Sequence, residues 1–560
     1  MTREIPDAAA DGASSGQLAL CGRTAIGWKR LRWILVTVAI VGQCAAVYLD
    51  GPVLGVDQGY QIAGARSVLA GRGVSLGVFE SGDISKTSAV PLRWWPPLYS
   101  VVAAPLLAAF DDPALVLAMS TWAGVGLLFG AWWSILEALG PLVDWRSKLI
   151  LWLYWIAVAP PITRDGHTGA TDYLALGLFS VALACALKAV MARKGTPNWS
   201  LAAGCALGLA TALRYAYVPM GAVLPVSLAV TAALNRNRSQ LGDAVRCGAT
   251  AAVVGGLGTL LWLVGEPGTD PRVILGSARS LVSVLGRMAP VPAMAFGLGR
   301  TWNPSDTGTV SLWLVSLAVI GCLTLALAAY FVWLWRASSA DRARAAGLTF
   351  LYATAVNGFV VLVLFFTYLS LKQDPGSGWV MVEEGRYYAP VFGLFAFIAC
   401  SAMFGVAGTC ARPRVVALAM VGLLVLMTAR VTGENVGQWS HWYHAGPRGV
   451  VMDWKDPRWQ AYVQIRRLRM ARREVFFLHS GLENSSIYAS AWAGAAGAYI
   501  HRGSRLDGRI SSSRPVTVVA LVLDQSPVEA RTGLGEFIRR GTITYAQTIG
   551  RDELYVCETR

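Results

Sequence analysis

Charged side chains are in short supply in this sequence: 14% of its 560 residues are Asp, Glu, Lys or Arg, while 55% are hydrophobic. That balance excludes a protein built around one soluble core. A mean hydropathy of +0.48 places the chain among polytopic membrane proteins. Acidic residues are the scarcer sign, 33 against 48 Lys and Arg, for a net charge of +15. A membrane protein collects such an excess in its cytoplasmic loops, so the charge reads as topology and not as nucleic-acid binding. Cysteines with metal-ligand spacing are missing: Cys44, Cys185, Cys205, Cys247, Cys322 and Cys400 lie within apolar runs, as small fillers. The polar C-terminal part holds only Cys557, which excludes an internal disulfide there. An inverted repeat of the kind many transporters carry is also lacking. No small-x-small cleavage site follows the first apolar run, so that run is expected to stay as a signal anchor.

What the sequence does have is a series of apolar segments of spanning or nearly spanning length. They are Trp33 to Leu49, Ala114 to Leu136, Tyr173 to Val190, Ala249 to Val264, Ser311 to Trp335, Leu348 to Leu369 and Val415 to Ala429. Basic clusters punctuate them: Lys29, Arg30 and Arg32; Arg146 and Lys148; Arg193 and Lys194; Arg236 and Arg238; Arg336, Arg342 and Arg344; Arg412 and Arg414. Placing all of these in the cytoplasm gives an α-helical membrane protein of about eleven spans, with residues 1–32 inside and everything after Thr432 outside. The outer side then collects residues 50–110, 163–172, 266–309 and 370–386. "PPLYSVVAAPLLAAF", Pro96 to Phe110, is too short to span easily, and counting it would turn two basic loops outward. It reads as a helix at the outer interface.

From Glu434 the hydropathy falls. "EVFFLH" and "PVTVVALVL" have the look of buried strands, and "SSIYASAWAGAAGAYIHR" and "VEARTGLGEFIRR" that of helices, which together predict a small α/β domain of about 125 residues. The domain organisation is therefore 1–32 cytoplasmic, 33–433 membrane with a large first outer loop at 50–112, and 434–560 outside. "DPRWQAYVQIRRLRMARR", Asp456 to Arg473, predicts a helix with a dense basic face, either solvated or in contact with anionic lipid or a phosphorylated substrate.

Three outer stretches carry candidate chemistry. "GVDQGYQIAGARSVLAGRG", Gly55 to Gly73, sets Asp57 before a helix with Tyr60 and the small residues Ala63, Gly64 and Ala65. As an isolated feature the carboxylate is a helix N-cap. The same loop continues through Lys86 to "PLRWWPPLYS", with Arg93 and Tyr99, where prolines fix the backbone and tryptophans suit the headgroup level. "TRDGHTGATDYLALGLF", Thr163 to Phe179, crowds Arg164, Asp165, His167 and Asp172 into a short connection. Ionisable groups at such a junction either cap the next helix or build a site. "EEGRYYAP", Glu383 to Pro390, places Arg386 beside Tyr387, as a surface ion pair with Glu383 or Glu384 or as a phosphate ligand. Arg214, in "ALRYAYVPMG" at the outer end of a span, snorkels to the surface or faces a polar cavity.

An acid after the first span in "VDQGYQIAGARSVLAGRG", then "PPLY", then an acid in "TGATDYLAL", then "GRYYAP" near the last spans: in that order and on one side, these elements resemble the polyprenyl-phosphate-dependent glycosyltransferases of the GT-C superfamily, above all the protein mannosyltransferase and aminoarabinose transferase branch. The resemblance covers most of the chain before the polar C-terminal part. It implies catalytic acids at Asp57 and Asp172 and a lipid-linked sugar donor. Two positions depart from the pattern. Gln58 stands where many relatives have a second acid, and Trp95 precedes "PPLY" where the aminoarabinose branch tends to have lysine. Phosphate contacts are then expected from Arg386, Arg93 and Lys86, and substrate contacts from Tyr60, Tyr99, Tyr387, His167 and Asp165.

Such a site displaces a lipid phosphate from an anomeric carbon. Asp57 serves as base and the cations receive the phosphate charge, with inversion of the anomeric centre. Asp172 positions the acceptor, orients a cation or holds a divalent metal ion. The partners are a polyprenyl-phosphate sugar, a lipid, glycan or protein acceptor, and the membrane. The expected location is a bacterial inner membrane with the active face in the periplasm. The competing classes are a surface-polysaccharide polymerase or ligase, a transporter or lipid flippase, and a non-catalytic scaffold. A transporter needs ionisable residues near the bilayer midplane, whereas here they gather at the outer ends of spans.

Overall fold

The computed structural model describes residues 33–34, 37, 41, 56–80, 83–92, 96–139, 170–192, 198–263, 309–372, 388–409, 457–471, 474–480, 489–498 and 511–559. Helix α1 (Val56–Leu69) leads into an antiparallel hairpin of β1 (Ser75–Glu80) and β2 (Asp83–Pro91), and then into α2 (Pro97–Phe110). The apolar segments follow as α3 (Pro113–Leu139), α4 (Ala170–Met191), α5 (Trp199–Leu213), α6 (Met220–Leu234), α7 (Ser239–Leu263), α8 (Thr309–Arg336), the short α9 (Ser339–Arg344), α10 (Ala346–Lys372) and α11 (Ala389–Thr409). Among the described residues, three stretches, within α3, α4 and α10, are long and apolar enough to cross a membrane as they stand. They match the expected spans at Ala114, Tyr173 and Leu348. The expected spans at Trp33 and Val415 fall largely or wholly outside the described residues.

The bundle closes on glycine where two backbones meet. A Cβ on Gly124 of α3 would lie 2.4 Å from the carbonyl carbon of Tyr173 in α4, and one on Gly177 would lie 2.5 Å from the Gly124 oxygen. In an apolar solvent helices gain little by hiding hydrophobic surface from one another, so close approach through small residues is what holds such a pair together. Replacing Gly177 by Leu is therefore expected to separate α3 from α4 and cost several kcal/mol, well above the roughly 1–3 kcal/mol of ordinary overpacking. Thermal unfolding of the detergent-solubilised protein checks this.

The C-terminal part is a five-stranded sheet of order β4-β3-β5-β7-β6, made of β3 (Val475–His479), β4 (Gly497–Ala498), β5 (Thr517–Val522), β6 (Thr542–Ile549) and β7 (Asp552–Glu558). Strand β3 pairs in parallel with β4 and β5, and β7 is antiparallel to both β5 and β6. Strands β3 and β5 are buried along nearly their whole length because helices cover both faces. On one face Phe476, Leu478, Val518 and Ala520 meet Leu534, Phe537 and Ile538 of α13 (Val528–Arg540). On the other, Val475, Phe477, Val519 and Leu521 meet Ala461, Tyr462 and Ile465 of α12 (Pro457–Met470).

The expected strands at "EVFFLH" and "PVTVVALVL" are β3 and β5, and the helix at "VEARTGLGEFIRR" is α13. The helix expected over "SSIYASAWAGAAGAYIHR" is not formed among its described residues. Ala489–Ala493 makes a single wide turn, Gly494 adopts a φ of +72°, and Gly497–Ala498 joins the sheet edge as β4. Alanine favours a helix there, but glycines interrupt the run, and the Ala496 N–H donates instead to the Val475 carbonyl at 2.8 Å.

Candidate active site

Helix α1 holds Asp57 as its second residue. The next turn is enclosed: Gln58 is 0% exposed and Gln61 1%. Tyr60 is half-buried against the bundle core. Helix α1 lies close against α2 because a Cβ on Gly64 would sit 2.7 Å from Leu92 and 2.9 Å from Ser100 Oγ. The Ser100 hydroxyl donates to the Gln61 carbonyl at 2.9 Å.

From α1 a line of contacts runs to the second acid. Tyr99, beside Ser100 at the start of α2, is wholly buried and donates its hydroxyl to Ser120 of α3 at 3.2 Å. This corrects the expectation that Tyr99 touches substrate: its ring and hydroxyl are spent on packing α2 against α3. One turn beyond Ser120, Gly124 meets the Tyr173 backbone, and Tyr173 follows Asp172. Asp172 sits in the first turn of α4, buried, with its Oδ1 2.7 Å from the Arg214 Nε. Arg214 occupies the extended C-cap of α5, before the 3-10 turn Tyr215–Tyr217. Arg214 is 8% exposed. Of the two sequence readings, the inward-facing arginine is the one observed, and Asp172, in the first turn of α4 where an acid complements the helix dipole, also pairs with it.

Around this line are polar atoms without a hydrogen-bond partner among the described residues: both amide atoms of Gln58, Gln61 Oε1, Trp122 Nε1, Thr171 Oγ1 and Tyr215 Oη. Each is a buried group that a polar ligand would satisfy, and leaving such groups unmet costs about 1–3 kcal/mol apiece. Sequence reasoning set Gln58 aside as a missing acid and passed over Gln61, Trp122, Thr171 and Tyr215. For Gln61, Thr171 and Tyr215, proximity in the chain to Asp57, Asp172 and Arg214 was the available signal; Trp122 had none.

Lys86 stands exposed on β2, its Nζ 3.7 Å from the Asp83 carboxylate. Asp83 also accepts from Ser85 and Ser513, and those hydrogen bonds hold its carboxyl well below the usual carboxylate range. Arg93, Asp165, His167, Arg386 and Tyr387 lie outside the described residues. No group of three metal-ligating side chains occurs among the described residues.

The chain shares its fold with solved structures at low sequence identity. The chain is similar to the crystal structure of ArnT from Cupriavidus metallidurans in the apo state, with a TM-score of 0.53 and 15% identity over 96% of this chain and 98% of that one. It is likewise similar to the same protein bound to undecaprenyl phosphate, with a TM-score of 0.53 and 13% identity over 95% and 98%. The Archaeoglobus fulgidus oligosaccharyltransferase tethered to an acceptor peptide aligns at a TM-score of 0.46 and 10% identity, over 83% of this chain and 63% of that one. No family model and no curated protein sequence matches the chain.

Proposed function

We propose that the chain is a membrane glycosyltransferase that moves a sugar from a polyprenyl-phosphate donor to an acceptor hydroxyl. The observation that carries this reading is the buried polar line from α1 to the Asp172–Arg214 pair, which holds a buried ion pair and several unmet polar atoms. A hydrophobic lipid tail needs the bundle, and a sugar needs unmet donors and acceptors within it. The solved neighbour with undecaprenyl phosphate bound supports a lipid-phosphate ligand on this fold.

In the proposed reaction the acceptor oxygen attacks the anomeric carbon while Asp57 takes its proton, and the bond from that carbon to the phosphate oxygen breaks. Polyprenyl phosphate leaves with the electron pair. One displacement inverts the centre. Because phosphate leaves readily, no second carboxylic acid has to protonate it, unlike in glycoside hydrolysis. Arg386, Arg93 and Lys86 are proposed to receive the growing phosphate charge. Asp172, held by Arg214, is proposed to position the acceptor, orient a cation or hold a divalent metal ion. His167, Asp165, Tyr60 and Tyr387 are proposed sugar or acceptor contacts. The about eleven spans, the outward active face and the bacterial inner membrane belong to the same proposal.

The test is transfer from a purified, isotope-labelled polyprenyl-phosphate sugar, with the linkage of the product determined. Formation of an inverted glycosidic product is expected; sugar movement across sealed vesicles without a covalent product overturns the reading. In the same assay Lys86→Ala, at an exposed position, is expected to raise the donor KM by about two- to tenfold with little change in kcat, as loss of one solvent-screened phosphate contact would.

A further inference from the structure

Where the C-terminal layer touches the first outer loop, the contacts fall on α1 itself. Arg66, near the C-terminal end of α1, donates from Nε to the Ala491 carbonyl at 2.9 Å and from Nη1 to Asp111 Oδ1 at 3.2 Å. From the other side, Arg469 of α12 donates from Nη2 to Asp111 Oδ2 at 2.5 Å and from Nη1 to the Ala493 carbonyl at 3.5 Å. Arg466 reaches the Asp111 backbone carbonyl at 3.5 Å. One carboxylate is thus gripped by two guanidiniums, and both guanidiniums also grip the 489–493 turn.

Asp111 is suited to this place. It caps α2 with φ 46° and ψ 28°, a left-handed conformation that aspartate tolerates better than most residues, and its own N–H donates to the Leu107 carbonyl at 2.8 Å. Its position is fixed at the corner where α2 turns into α3. Burial opposes its ionisation, yet the hydrogen bond and charge of Arg469, together with Arg66, hold its carboxyl below the usual range. Burial also lowers the Arg66 guanidinium to about 10, helped by Arg469 and opposed by Asp111.

The contact differs in kind from the chain's surface pairs. Arg514 with Glu474, and Arg540 with Glu536, have both partners about half exposed, the class worth little. Here Asp111 is 47% exposed, but the Arg66 side chain is 15% and Arg469 30% exposed, and each arginine is also anchored at a backbone carbonyl. Three further contacts join the C-terminal layer to α1 and the hairpin. Ile84 of the hairpin enters the apolar cluster of β3, β5 and α13, and Ala491 packs in the cluster that holds Ile62 and Ala65 of α1. Asp83 forms a parallel bridge with Ser511 and accepts from the Ser513 N–H at 3.2 Å.

We propose that Arg66, Asp111 and Arg469 form a positioning clamp by which the C-terminal layer fixes α1, the helix that carries Asp57. Arg66 lies nine residues beyond Asp57 on that helix, about 14 Å along its axis. A rigid helix held at that end transmits its placement to the reacting end. The inference rests on Asp57 being the base, and the three clamp residues act through α1 without touching substrate.

Hydrogen exchange of the full-length protein, followed on peptides from α1 and from β3 and β5, tests the clamp without reference to activity. Arg469→Ala and Asp111→Asn are each expected to speed exchange in α1 while β3 and β5 stay protected, and Arg469→Lys to restore part of the protection. In the transfer assay the first two variants are expected to lower kcat by about ten- to a hundredfold, as misplacement of a catalytic group does, with polyprenyl-phosphate Kd within about twofold of the unsubstituted protein. Unchanged α1 exchange in both variants overturns the clamp. If Arg469→Ala loosens the sheet itself, Asp111→Asn, outside that layer, decides. If the unsubstituted protein transfers no sugar, the catalytic reading falls and the exchange result still stands or fails on its own.

Discussion

Asp57→Asn is expected to lower sugar transfer by about 10²–10⁴-fold, the usual contribution of a general base, while leaving polyprenyl-phosphate affinity and thermal stability close to those of the unsubstituted protein. The asparagine keeps the size of the side chain and its place in the first turn of α1, but it cannot accept the acceptor's proton. The pH dependence supplies a second readout: the rising acidic limb of kcat/KM, set by ionisation of the base, is expected to disappear from the residual activity. Undiminished transfer with an intact pH profile would remove Asp57 from the mechanism and leave the polar line around Gln58 and Asp172 in need of another base.

The sequence led to Asp57 and Asp172 by their position relative to the spans, and to the overall fold class by hydropathy and basic loops. It was less informative about partnership. Arg214 was visible as an arginine at a span end, but only packing of α4 against α5 brings it within 2.7 Å of Asp172. Tyr99 shows the opposite failure: a tyrosine in a motif near the membrane reads as a ligand contact, and its burial against Ser120 is a tertiary fact. Local propensity misled at Gly497–Ala498, where pairing with β3 at the sheet edge outweighs the helical preference of the surrounding alanines. The β1–β2 and β6–β7 hairpins were missed altogether, although the turn at Gly550, with φ +67°, sits between two runs of strand-forming residues. Asp111 and Arg469 are 358 residues apart in the chain, and no periodicity connects them.

The largest effect on stability is expected at the Asp172–Arg214 pair. Both side chains are under a tenth exposed, so removing either one leaves the other charge buried without its partner at 2.7 Å. Asp172→Leu or Arg214→Met alone is expected to cost about 3–5 kcal/mol. The double variant removes both charges and puts two apolar groups of similar bulk in their place. It is expected to recover most of that loss, because a buried ion pair contributes little net stability over well-packed apolar residues. Activity separates the two roles of the pair. If Asp172 orients the acceptor, the double variant is folded, binds polyprenyl phosphate and transfers no sugar above about 1% of the unsubstituted rate, in line with loss of a positioned catalytic group. A stable double variant that transfers at the original rate would make the pair a structural bolt between α4 and α5, and would move the acceptor site toward α1 and its unmet Gln58 amide. Thermal unfolding of the three variants in one detergent, alongside single-turnover transfer, decides between these outcomes, since the thermodynamic cycle isolates the pair's coupling from the separate cost of each truncation.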